Sequence, residues 1–281
     1  MAPADDKAAA YANAPTRPAR LTVPALHSMM QEGTRIAMLT CYDASLARRC
    51  DDAGVDVLLV GDSLGMVIQG HASTLPVTLA DTLYHTRCVV NGSTRALVVA
   101  DLPFGTYQAS TEAAYMAASA AIQAGAQMVK LEGGDWLAET VAFLAMRAIP
   151  VCGHVGLQPQ WINVLGGYRV QGKGDDAAET VIGDARALVD AGATMLIAEC
   201  IPRALGARLQ REIRVPVIGI GAGPACAGQV LVIYDALGIT PAKPARFVRN
   251  FMSGHDSVAA ALAAFVAAVR DGSFPGPEHC F

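Results

Sequence analysis

Short apolar runs recur along this chain, each closed by turn-forming or acidic residues. They fall at residues 36–39, 55–60, 96–100, 128–131, 150–152, 194–198, 215–220 and 230–233. Such runs lack apolar–polar alternation, which marks strands covered on both faces, as in a parallel sheet. Between them lie Ala-rich amphipathic segments. Residues 111–124 open on the capping pattern Ser110-Thr111-Glu112 and stop at Gly125, and residues 177–191 stop at Gly192. Residues 257–270 read as one further helix before a Pro/Gly-rich end. Strand–helix alternation implies right-handed βαβ units. Eight units in about 200 residues favour closure into a (β/α)8 TIM barrel, a fold that takes ~250 residues, over a doubly wound sheet.

Two connections are long for such a fold: residues 63–95, and the glycine-rich residues 153–176 with Gly166-Gly167 and Gly172-Lys173-Gly174. The second reads as a lid over the mouth, with Tyr168, Arg169 and Lys173 available to cover it, or else as a plain surface loop. Residues 1–20, rich in Ala and Pro with no apolar core, read as a disordered leader, and residues 21–281 as one barrel domain with a C-terminal helix.

Composition narrows the class. Of 281 residues, 53% are hydrophobic and only 16% charged, which suits a largely buried sheet and surface hidden in an oligomer. A net charge of −4 gives no reason to expect nucleic acid. The uncharged stretch 215–234 is broken by Gly219, Gly221, Gly223, Pro224 and Gly228, which argues against a membrane span. Seven scattered cysteines without a CxxC pair read as reduced cytoplasmic thiols.

The candidate chemistry sits at strand ends. Four runs stop at an acid: Asp62, Asp101, Glu132 and Glu199. In a barrel these positions ring one mouth, where active sites sit. Acids there can be helix caps, but Glu is a poor cap and two of the four are Glu. Gathered carboxylates repel, and a divalent cation keeps them ionised. Mg²⁺ takes one or two carboxylates and leaves positions for water or a 2-oxo acid. Such a cation acidifies the C–H beside the ketone through an enolate. Asp62 and Asp101 are the hard ligands on neighbouring strands, and Glu132 binds directly or through water. Lys130 shares a face with Glu132 and can pair with a substrate carboxylate or form a structural ion pair. Glu199, from the opposite part of the ring, is placed for a general base, a further ligand or a cap. His154 can bind substrate, relay a proton or be a satisfied core histidine. Gly219-Ile220-Gly221-Ala222-Gly223 has a partial phosphate-loop look without full GxGxxG spacing.

Longer blocks resemble the ketopantoate hydroxymethyltransferase family. They are Thr40-Cys41-Tyr42-Asp43, VGDSLGMVIQGHASTLPVT from Val60, ADLPF from Ala100, MVKLEGG from Met128, CGHVGLQPQ from Cys152, GGYRVQGKG from Gly166, AECIP from Ala198 and GIGAG from Gly219. The resemblance implies a barrel of the phosphoenolpyruvate/pyruvate type, hydroxymethyl transfer from 5,10-methylenetetrahydrofolate to 3-methyl-2-oxobutanoate, and a homodecamer. It places Mg²⁺ on Asp62 and Asp101 with Glu132 assisting, substrate at Ser63 and Lys130, and proton abstraction at Glu199. One departure stands out: Ala227 replaces the acid that the family carries before Gly228-Gln229. The competing enzyme class is another Mg²⁺-dependent lyase or mutase of the same barrel type acting on a 2-oxo acid. It would need a catalytic cysteine or a phosphonate pocket, and no mouth motif supplies either.

Overall fold

The computed structural model describes residues 20–241 and 243–281. The expected leader, Arg20 apart, lies outside the described residues. Eight strands close a barrel: β1 (Ile36–Thr40), β2 (Val57–Val60), β3 (Leu97–Asp101), β4 (Met128–Glu132), β5 (Val151–Gly156), β6 (Met195–Glu199), β7 (Val217–Ile220) and β8 (Gly228–Leu231). Each pairs in parallel with the next, and β8 returns to β1. Nearly every strand residue is buried, which is why the strands read as solid apolar runs.

Every strand is shifted by a residue or two from the sequence reading, and two differ most. β5 runs on to Gly156, because its polar His154 points into the mouth rather than ending the strand. β8 begins at Gly228, where a Cβ would meet the Ile36 carbonyl oxygen at 2.3 Å. The long connection after β2 is mostly helical, with Leu64–Val67 and Leu79–Gly92. The β7–β8 connection carries no helix at all. The glycine segment therefore has no helix N-terminus to offer a phosphate. Its glycines serve packing instead: a Cβ on Gly221 would crowd Phe247 and Phe281.

Ala227 lies at the entry to β8, where its N–H donates to Gln210 Oε1 at 2.9 Å and its carbonyl accepts from Ile36 N–H at 2.8 Å. This is the barrel floor, at the end opposite the mouth, so the departure from the family pattern does not reach the acids.

A helix unannounced by the sequence pattern, Val23–Gln31, precedes β1. Thr22 caps it and Pro24 fits its first turn. Its Leu26, 1% exposed, packs with Met38, Met128, Met195 and Ile218 inside the barrel and plugs the floor. The C-terminal helix Val258–Asp271 lies against β1 and the helix Ala44–Asp52. No helix among the described residues is long and apolar enough to cross a membrane. All seven cysteines are unpaired.

Candidate active site

The strand register brings the acids together. β3 sets Asp101 beside Lys130 of β4, β5 sets His154 beside Glu132, and β6 sets Glu199 beside Gly156. In parallel pairing, residues in register share a face. Lys130, Glu132 and His154 therefore point into the mouth together, and Asp62 joins them from the turn after β2.

The result is a buried charged cluster. Asp62, Asp101, Lys130, Glu132 and His154 are each less than 5% exposed. Lys130 Nζ stands 2.8 Å from both Asp101 oxygens and 2.9 Å from Glu132 Oε1. One oxygen each from Asp62, Asp101 and Glu132 lies within 4.8 Å of the others. His154 sits between two carboxylates, Nδ1 3.4 Å from Glu132 and Nε2 3.4 Å from Glu199. Neither contact is a well-formed hydrogen bond, so charge rather than directed bonding holds the ring.

The proton affinities separate along these lines. Burial, then the facing Asp101 and Glu132, hold Asp62 well above the usual aspartate range, and Lys130 and the Gln160 amide only partly offset this. Asp101 is raised by burial despite Lys130. Burial opposes ionisation of Glu132 too, but Lys130 and His154 win and bring it down to about 2. Burial and Lys130 disfavour a charged His154, yet Glu132 and Glu199 outweigh them and lift it to about 9.

This donor set suits a hard divalent cation. It is oxygen-only, buried, and facing a cavity of about 530 Å³. Lys130 pairs Asp101 and Glu132 but not Asp62. Among the described residues, the Gln160 amide is the one side chain that hydrogen-bonds it. Asp62, Asp101 and Glu132 could together hold such an ion. Glu132 accepts from Lys130 Nζ and from the Gln160 N–H.

Ser63 opens the short helix Leu64–Val67, with Oγ 2.9 Å from the buried Tyr42 hydroxyl, and lines the same cavity. Glu199, its side chain 15% exposed, faces the cavity from β6. Cys200 follows it at φ +47°, a left-handed conformation that costs a non-glycine residue ~1–3 kcal/mol and turns the chain sharply past the mouth. Tyr168 and Arg169 line the cavity from the β5 connection; Lys173 does not. The sequence reading gave no role to two further residues that the cluster contains. Gln160 bonds Asp62 and Glu132, and Tyr107 bonds the Glu132 backbone and Gln160. Both are neutral, so no charge pattern marks them.

Comparison with known proteins agrees with this geometry. The family profile described as ketopantoate hydroxymethyltransferase matches residues 20–277. A 3-methyl-2-oxobutanoate hydroxymethyltransferase of Thiobacillus denitrificans is 60% identical over 261 residues, covering 93% of this chain and 99% of the relative. One from Burkholderia thailandensis is 55% identical over 271 residues, covering 96% and 99%. Among solved structures, a putative phosphonomutase from Burkholderia cenocepacia aligns with TM-score 0.60 at 20% identity, over 76% of this chain and 95% of that one. A 2,3-dimethylmalate lyase of the PEP mutase/isocitrate lyase superfamily aligns with TM-score 0.57 at 18% identity, over 78% and 83%. At such identities the structural neighbours speak for the fold alone. The sequence matches settle the family: this chain belongs to the ketopantoate hydroxymethyltransferases.

Proposed function

We propose that this protein adds the one-carbon unit of 5,10-methylenetetrahydrofolate to C3 of 3-methyl-2-oxobutanoate, giving 2-dehydropantoate in pantothenate synthesis. The observation that carries this reading is the buried set Asp62, Asp101, Lys130, Glu132 and His154, facing Glu199 across one cavity. It occurs in a chain whose closely similar relatives bear that enzyme's name.

Glu199 takes the C3 proton of the 2-oxo acid. Asp62 and Asp101 would hold Mg²⁺, which when bound would supply Lewis-acid stabilisation for the charge that develops on the 2-oxo acid. Lys130 and Ser63 hold the substrate carboxylate end, Lys130 releasing part of its pairing with Asp101 and Glu132 to do so. His154, charged between Glu132 and Glu199, orients the Glu199 carboxylate and binds the substrate side facing β5. Water replaces both carbon–nitrogen bonds of the folate methylene, releasing tetrahydrofolate and leaving the carbon at the formaldehyde level. The C3 electron pair attacks that carbon, and its oxygen takes the proton held by Glu199 to become the new hydroxyl. The apolar wall of Leu157, Val170, Ile220 and Phe247 limits water near the reacting carbon.

Residues 21–281 act as one domain. The protein works in the cytoplasm, where its seven unpaired thiols stay reduced. It has neither a nucleic-acid nor a membrane partner. It assembles as a homodecamer, for which the exposed Met116 and Met146, 67% and 84% open, offer apolar surface.

The test is an assay with 3-methyl-2-oxobutanoate, formaldehyde, tetrahydrofolate and Mg²⁺. 2-Dehydropantoate forms only when all are present. No product under those conditions rejects the assignment.

A further inference from the structure

Gln160 touches two acids of the cluster, Asp62 and Glu132, although it lies outside the barrel wall. It sits in the turn Pro159–Trp161 beyond β5, only 4% exposed. Its backbone N–H donates to Glu132 Oε2 at 3.0 Å. Its side-chain Nε2 donates to Asp62 Oδ2 at 3.1 Å and to the Leu102 carbonyl at 3.0 Å. Its Oε1 accepts from the Tyr107 hydroxyl at 2.7 Å and from Gln108 Nε2 at 3.3 Å.

These partners fix which way the amide faces. The Leu102 carbonyl and the Asp62 carboxylate only accept, so the NH₂ must face them. One residue thus ties together the ends of β2, β3 and β4, the first two through its amide nitrogen and the third through its backbone N–H. A glutamate there would add another acceptor-only group against Asp62. An aliphatic residue would leave Asp62 without a side-chain hydrogen bond and Leu102 O without its donor.

We infer that Gln160 is a positioning residue for the cation: its amide aims the Asp62 carboxylate and its backbone N–H aims that of Glu132. This rests on the metal reading of the site given above. Lys130 cannot do the same for Asp62, since its ammonium is spent on Asp101 and Glu132. The turn also begins the segment that carries Tyr168 and Arg169 over the cavity, so the ligand geometry and the root of that segment share one residue.

The test titrates Mn²⁺, as the probe, into purified protein without substrate, reading free ion by electron paramagnetic resonance. Two variants are used. Gln160→Met keeps the volume and removes every side-chain hydrogen bond. Gln160→Asn keeps the amide but shortens its reach. With circular dichroism unchanged, both raise the Mn²⁺ Kd by ~10–100-fold, the usual cost of losing a residue that orients a metal ligand. The transferase assay gives the second readout: half-saturating Mg²⁺ rises in parallel while kcat at saturating Mg²⁺ returns to within a few-fold of the parent. A merely structural lesion is not rescued by metal. If either folded variant binds Mn²⁺ within twofold of the parent, the positioning role is wrong. If the parent protein itself binds no Mn²⁺, the metal reading of the site falls instead.

Discussion

At the scale of single residues, the site works by keeping two carboxylates in different states. Glu132 is ionised and locked by Lys130, His154 and the Gln160 N–H. Among the described residues, the Glu199 carboxylate has only the loose His154 contact, and its open side faces the cavity. That freedom is what a base needs, since it must approach a C–H and then part from it. Glu199→Gln keeps shape and hydrogen-bonding capacity but cannot accept the C3 proton. Loss of a general base costs ~10²–10⁴-fold. Exchange of the C3 proton into heavy water, followed by NMR without folate, isolates the step. Exchange at the parental rate in Glu199→Gln would remove Glu199 from the role and turn attention to His154.

At the scale of elements, the strand ends position the acids and the β5 connection covers them. Gly156 closes β5 at φ +89°, where a Cβ would meet the Glu199 carbonyl oxygen at 2.3 Å. Leu157 N–H then donates to that same carbonyl at 2.9 Å, and Gln171 N–H donates to Cys200 O at 2.9 Å. The connection is thus stitched to the end of β6 at both points, while Gly166 and Gly167 between them, and Gly172 and Gly174 just beyond, all take positive φ. Tyr168 reaches over to Met66 with its ring half-exposed. The expected behaviour is ordering on substrate: with 2-oxo acid plus Mg²⁺, trypsin cleavage after Arg169 and Lys173 slows severalfold. Equal cleavage with and without ligand would show the segment is not a lid. Elements were legible where burial dictated residue type. Strands buried on both faces must be apolar, and acids at their ends stand out against such runs. Elsewhere the signal was too weak to read. The floor helix Val23–Gln31 has one fully buried residue, Leu26, and so no strong period. Gln160 and Tyr107 acquire meaning only when the folded chain brings loops after β3 and β5 against the acids.

At the scale of the molecule, the acid cluster sets stability against function. Asp62, 4% exposed, faces Asp101 and Glu132 with no cation of its own among the described side chains. Its proton affinity in the fold is raised, first by burial and then by those carboxylates. Unfolding restores the ordinary value of ~3.9. The folded protein therefore binds a proton more tightly at this residue than the unfolded chain does. Below the unfolded pKa the residue is neutral in both states and costs nothing. As pH rises through that value the unfolded chain ionises first, and cation-free stability falls. Asp62→Asn removes this penalty and keeps an oxygen for the Gln160 amide. The metal-free variant should melt a few degrees above the metal-free parent at pH 7, equivalent to about 1 kcal/mol for a chain of this size. The gap should close as pH approaches 4. Millimolar Mg²⁺ should raise the parent's melting temperature by binding only the folded state, and leave the variant's unchanged. Transfer activity of the variant should fall by at least ~10²-fold. Scanning calorimetry of both proteins at pH 4, 5.5 and 7, with chelator and with Mg²⁺, reads all of this. A variant less stable than the parent at pH 7 in chelator would mean that the Asp62 charge is compensated within the protein, and that the cluster needs no cation to hold it.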